Sequence, residues 1–257
     1  MTNVVITGAS SGIGAALARL YAGHRARLLL IARDAARLAR VAAECRARAA
    51  AVETASVDVR HRAELAAVLR DFDARHAIDV IVANAGVTSI LEPEAAVESG
   101  EDFQRVLETN LVGAFNTVGP VAERMAARGA GRIGLIGSLA GLRGLPYSPA
   151  YSASKAGLKA MGEAMRAKLR PHGVSLTIAS LGFVVTPLDD GIESPKPWRM
   201  TPERAAARIA AAVAAGRAHV AFPLPLASAT RFLAFLPPRV GDALLRLVTV
   251  TRRKAPD

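Results

Sequence analysis

The chain has 257 residues, 51% of them hydrophobic, which allows one large domain with a sizeable core. Its formal charge of +11 and pI near 10.9 favour anionic ligands, but no basic run is interleaved with aromatics and no helix-turn-helix spacing occurs, so nucleic-acid binding is not expected. The five histidines lack ligand spacing, which argues against a metal site, and the lone Cys45 excludes an intrachain disulfide and fits a reducing, cytoplasmic setting.

Val4–Thr7 predicts a first strand that runs straight into a glycine turn, with neither the charged start nor the cleavage site of a signal peptide. The turn TGASSGIG, residues 7–14, opens a helix whose apolar positions Ile13, Leu17 and Leu20 recur at i, i+4, i+7. Further strands are predicted over Arg27–Ala32, Val52–Ser56, Val80–Ala83, Arg132–Ile136 and Ser175–Ala179, with Ala/Arg/Leu helical segments between them. Strand–helix alternation predicts an α/β fold: a doubly wound parallel sheet with helices on both faces. No linker or repeat interrupts it, so the chain reads as a single domain. No apolar run reaches the roughly 18 residues of a spanning helix; the nearest, Val220 to Leu236, contains two prolines and Arg231.

Gly8, Gly12 and Gly14 sit between a strand and a helix N-terminus, where backbone N–H groups and a partial positive charge suit a pyrophosphate. Five further features follow in order: Asp58-Val59, ANAG at 83–86, Asn110, Ser138 and YSASK at 151–155. With these, residues 3 to 187 resemble the short-chain dehydrogenase/reductase family. The resemblance implies a Rossmann-type fold and NAD(P)-linked exchange between a ketone and an alcohol. It places the cofactor on Thr7, Gly8, Ser10, Ser11, Gly12, Ile13 and Gly14, then on Arg33, Asp58 and Val59. It continues through Asn84, Ala85 and Gly86, Tyr151 and Lys155, and Gly182, Val184 and Thr186. Ala32 stands where a carboxylate would bind a ribose 2′-hydroxyl, and Arg33 follows. That pattern favours NADP(H) over NAD(H), unless Arg33 merely pairs with Asp34 on the surface.

Tyr151 and Lys155, four apart on a helix, share a face. By resemblance Tyr151 is the general acid/base. Lys155 binds the nicotinamide ribose and lowers the phenol pKa. Ser138 bonds the substrate oxygen, and Asn110 holds a water leading from Lys155 to solvent. The chain departs from the family at SLGFVVTP, residues 180–187: Leu181 replaces the usual proline, so a looser nicotinamide pocket is expected. The competing readings are an NAD-linked alcohol oxidiser and a silent nucleotide-sensing protein.

The match thins after residue 187. Residues 188–200, with the only tryptophan, Trp198, are expected as a lid over a small, hydrophobic ketone or alcohol. Residues 201–257 are expected as a helical extension, whose first helix is N-capped by Thr201 with Pro202 and Glu203 in its first turn. Leu226, Ala229, Leu233 and Leu236 fall on one helical face, with Phe232 and Phe235 alongside and Arg231, Arg239, Arg246, Arg252, Arg253 and Lys254 among them. The segment 226–257 suits either packing on the domain or a second subunit, or peripheral contact with a membrane. A homo-oligomer is implied by resemblance.

Overall fold

Val4 and Ile6 point to one face of the first strand, β1 (Asn3–Thr7), and Val5 to the other, and all three are fully buried. A strand apolar on both faces belongs in the middle of a parallel sheet covered on both sides. The computed structural model places it there. It describes the whole chain except residues 49, 92–94, 190–191, 194, 247–250 and 253–257. Asp190, Gly191 and Ser194 of the expected lid, and Arg253 and Lys254 of the tail, therefore lie outside the described residues.

In chain order the elements are β1, α1 (Gly12–Gly23), β2 (Arg27–Ile31), α2 (Ala35–Arg46), β3 (Ala51–Ala55), α3 (Arg62–Arg75) and β4 (Val80–Ala83). Then come α4 (Gly100–Leu107), α5 (Gly113–Arg128), β5 (Gly131–Ser138), α6 (Pro149–Leu169) and β6 (Val174–Leu181). The chain continues with β7 (Ile192–Glu193), α7 (Pro202–Ala214), β8 (His219–Phe222), α8 (Leu224–Phe235), α9 (Pro238–Arg246) and β9 (Thr251–Arg252). Seven strands form one parallel sheet in the order β3-β2-β1-β4-β5-β6-β8, while β7 and β9 pair antiparallel. The order reverses between β1 and β4, and the crevice beyond the strand ends there is where such sheets bind ligands.

One core packs Leu17 of α1, Leu38 of α2 and Ile209 of α7 against Val4, Ile6 and Leu28. The other packs Leu65 of α3, Val118 of α5 and Leu158 of α6 against Val5, Leu29 and Ile133.

The six expected strands are present, with ends moved by one or two residues. β8 was not expected. Its HVAF, residues 219–222, overlaps the start of the apolar run 220–236, and it becomes a strand by pairing with β6. α7 starts as expected, its Thr201 side chain accepting from Arg204 N at 3.3 Å. The face expected on α8 is corrected: Leu226, Ala227, Thr230 and Leu233 turn inward, while Ala229 is exposed and Leu236 falls just past the helix end. Among the described residues no helix is long and apolar enough to cross a membrane.

Candidate active site

The glycine turn is built by exclusion. Gly8 has φ +66° and Gly12 φ +52°, a region that favours glycine. A Cβ on Gly8 would lie 2.8 Å from Ala85 Cα, and one on Gly14 would collide with the Gly8 carbonyl. The turn is tied to the end of β4 by two side chains. Thr7 Oγ1 accepts from the N–H groups of Asn84 and Ala85 at 3.2 and 3.3 Å, and Asn84 Nδ2 donates to the carbonyls of Thr7 and Gly8 at 3.0 and 3.2 Å. Thr7 and Gly14 thus sit behind the turn and shape it, whereas Gly8, Ser10, Ser11, Gly12 and Ile13 face a cleft of about 950 Å³.

Helix α1 ends in this cleft with its first-turn donors free of side-chain acceptors. Ser11 makes no capping bond, and no acidic residue lies in the first turn. By contrast α2, α4 and α7 are capped by Asp34, Ser99 and Thr201. An uncapped helix start beside a glycine turn suits the pyrophosphate of a dinucleotide.

At the adenosine end, Arg33 does not pair with Asp34. Asp34 caps α2 through Arg37 N at 2.9 Å and pairs with the Arg37 side chain at 3.1 Å. Arg33 lies 3.6 Å from Asp58, and its side chain is 60% exposed to the cleft mouth. Burial pushes the Asp58 carboxyl up, but the side-chain and backbone hydrogen bonds of Arg60, together with the charges of Arg60 and Arg33, outweigh it and hold Asp58 low. Arg37 lines the same end. It was missed in the sequence because it lies four residues past Arg33, one turn into α2.

β5 delivers Ser138 at its last position, and α6 delivers Tyr151 and Lys155 from its first two turns. Burial raises the Tyr151 phenol pKa and the Asp189 charge adds to it, outweighing the lowering by the Ser138 hydroxyl beside it, so the net direction is up. Lys155 is 5% exposed, its Nζ donates to the Ile136 carbonyl at 2.9 Å, and it lies 5.6 Å from the Tyr151 ring centroid. Burial lowers the Lys155 pKa to about 8. A half-buried phenol with a raised pKa stays protonated at neutral pH, as a proton donor must.

Asn110 is 1% exposed, within a single π-helical turn, Glu108–Val112, between α4 and α5. Its Oδ1 accepts from Val87 N at 2.8 Å, and its Nδ2 donates to the Val87 carbonyl and Ser154 Oγ at 2.9 and 3.0 Å. Its side chain thus braces the β4 exit loop against α6, and it does not line the cleft. Gly86 lies between it and Lys155: a Cβ there would be 3.2 Å from Asn110 Oδ1 and 3.7 Å from Lys155 Nζ.

A family profile described as short chain dehydrogenase matches residues 2–197. The chain belongs to the short-chain dehydrogenase/reductase family. It is 34% identical over 243 residues to an uncharacterized oxidoreductase of Myxococcus xanthus, covering 94% of this chain and 95% of that protein. Two similar solved structures are each 25% identical. One is a short-chain dehydrogenase from Mycobacterium paratuberculosis bound to NAD, with TM-score 0.77 over 86% of this chain and 95% of that one. The other is an alcohol dehydrogenase from Thermococcus sibiricus complexed with 5-hydroxy-NADP, with TM-score 0.75 over 86% and 96%. The protein is an oxidoreductase of this family, acting on CH–OH/C=O groups with a nicotinamide dinucleotide.

Beyond Tyr151 the cleft of this short-chain dehydrogenase/reductase turns apolar. Leu139, Leu145, Phe183, Leu226, Leu233 and Leu245 line it, the last three supplied by α8 and α9. The extension is therefore a wall of the cleft, which helical periodicity alone did not reveal. The expected lid reaches the cleft through Leu188, Asp189, Pro195 and Pro197, while Trp198 is 57% exposed and does not line it. Asp189 is held by Lys196 at 2.9 Å and Arg199 at 2.8 Å. Leu181 does not loosen this region. It is 5% exposed and pairs with Ser138 on one side and Phe222 on the other, and Gly182 N donates to the Phe222 carbonyl at 2.9 Å. Leucine keeps the strand going, and the added strand β8 anchors the turn.

Proposed function

We propose that the protein is an NADPH-dependent reductase of a hydrophobic ketone, or the alcohol dehydrogenase of the reverse reaction. The observation that carries this reading is the meeting of the Ser138 and Tyr151 hydroxyls where the half of the cleft lined by the glycine turn and Arg33 passes into an apolar one. A bound nicotinamide supplies or takes the hydride. Ser138 holds the substrate oxygen, and Tyr151 gives that oxygen its proton as negative charge develops there. Lys155 offers donors to the nicotinamide ribose. Its ammonium, joined by the charge of the oxidised cofactor, brings the buried phenol back down towards neutrality. Asn110, bonded to Ser154 next to Lys155 in the chain, holds the water that leads the Lys155 proton to solvent.

Preference for the 2′-phosphate rests on Arg33, exposed at the cleft mouth, with Arg37 beside it, and on Asp34 being occupied as the α2 cap. The test is NADPH oxidation against ketones of increasing chain length, with Tyr151→Phe as control. Turnover that rises with chain length and disappears in the control supports the reading. NADPH binding without turnover across the panel overturns it in favour of a nucleotide-sensing role.

Two assignments of surface accompany this reading. The outer face of α8 and α9 exposes Leu224, Phe232, Phe235, Val240 and Leu244 among Arg231, Arg239 and Arg246, which suits peripheral contact with an anionic membrane from the cytoplasmic side. Phe103, Val112 and Phe115 are exposed along α4 and α5, and suit contact with a second copy in a homo-oligomer.

A further inference from the structure

Helix α6 carries the catalytic pair, yet it does not cap itself. Ser148 stands at its N-cap position but makes no capping bond, its hydroxyl being turned to the Ser89 carbonyl, to which it donates at 2.5 Å. Pro149 follows and has no N–H. The first amide of the helix is therefore that of Ala150, which is fully buried and needs an acceptor. The acceptor comes from a distant segment: Glu98 Oε2 takes the Ala150 N–H at 2.7 Å across 52 residues. Its other oxygen, Oε1, accepts from Ser89 Oγ.

Glu98 thus joins three pieces: the β4 exit loop at Ser89, the start of α4 just after it, and the first turn of α6. The Leu91 N–H adds a parallel link to the Tyr147 carbonyl at 2.8 Å. A carboxylate at a helix N-terminus is favoured by the helix dipole, and its bond to an N–H is charge-assisted. The residue after Ala150 is Tyr151. A shift of this turn moves the phenol relative to Ser138, which is fixed separately at the end of β5. Glu98 does not line the cleft, so it touches neither substrate nor cofactor.

We propose that Glu98 is a positioning residue that caps the catalytic helix from outside and sets where the Tyr151 hydroxyl lies. In its kinetic part this rests on the reductase reading above. Glu98→Ala removes both bonds. Glu98→Gln keeps an oxygen for Ala150 and an amide for Ser89. In the full-length protein, Glu98→Ala is expected to lower kcat about tenfold while KM for NADPH stays within about twofold, since small misplacements of reacting groups carry penalties of this kind. Amide exchange over residues 147–155 should quicken in Glu98→Ala, while exchange in β1 and α1 stays as in the wild type. Glu98→Gln should restore both kcat and exchange.

Unchanged exchange in Glu98→Ala overturns the proposal, as does a fall of kcat, NADPH affinity and global stability together in both variants. If the wild type reduces no carbonyl, the reductase reading fails. The exchange comparison then still decides whether Glu98 holds the helix.

Discussion

Lys155 carries its charge at a cost to the fold, and the cost can be measured. Its ordinary pKa of 10.5 falls to about 8 on burial. The gap corresponds to about 3 kcal/mol at roughly 1.36 kcal/mol per pH unit. Below pH 8 both folded and unfolded chains hold the proton, and the penalty is present in full. Between about 8 and 10.5 the unfolded chain binds the proton and the folded one does not, so stability rises with pH; above 10.5 the penalty is gone. Lys155→Met keeps the buried stem and removes the charge. It also loses the charge-assisted bond to the Ile136 carbonyl, worth about 1.5 kcal/mol. The cofactor-free variant should therefore be more stable at pH 7 by about 2 kcal/mol, which for a chain of this size raises Tm by roughly 4–8 °C. Thermal melts of both proteins from pH 7 to pH 10.5 provide the assay, and the gap should narrow above pH 8. A variant that melts lower than wild type at pH 7, or a gap that ignores pH, would refute the claim that this ammonium is held against its own solvation.

Ser138→Ala should reduce kcat by about 10²-fold, the usual scale for one donor lost at a developing oxyanion, with NADPH binding unchanged in a fluorescence titration. Arg33→Ala should weaken NADPH binding by about tenfold, within the range for charge-assisted hydrogen bonds, and leave NADH nearly untouched; equal effects on both cofactors would remove the basis for a 2′-phosphate preference. Phe232→Ser with Phe235→Ser should cut co-sedimentation with anionic vesicles while leaving turnover of a water-soluble ketone intact, and equal recovery with the wild type would count against membrane contact.

What the sequence made legible is what lies close together along the chain. The glycine turn follows β1 directly, and its two positive-φ glycines are local requirements. Tyr151 and Lys155 are one helical turn apart, so their shared face follows from the 3.6-residue period. Five strands were legible as short apolar runs buried on both sides; β3, the half-exposed edge strand AVETA, was legible from its β-branched residues and its place in the strand–helix alternation. β8 was not, because HVAF is ordinary until β6 offers it an edge. The departure at Leu181 misled for a similar reason. A leucine in place of proline suggests slack only while its neighbour is unknown; with Phe222 alongside, its backbone joins a ladder.

The groups that tune the site came from further away and carried no local signal. Asp189 faces Tyr151 only because the segment after β6 folds back and is held by Lys196 and Arg199. Leu226, Leu233 and Leu245 become a wall of the cleft because α8 and α9 return across the strand ends, where Asp242 meets Arg143 at 2.6 Å. That ion pair links α9 to the loop between Ser138 and Tyr151, so the apolar wall is fastened to the segment joining the two hydroxyls. Glu98 holds the same segment at its α6 end, through Ala150. The stretch from Ser138 to Tyr151 is thus held at two points by residues outside the family's sequence signature. Its geometry therefore depends on this chain's own loops and tail, which also supply the apolar wall of the cleft.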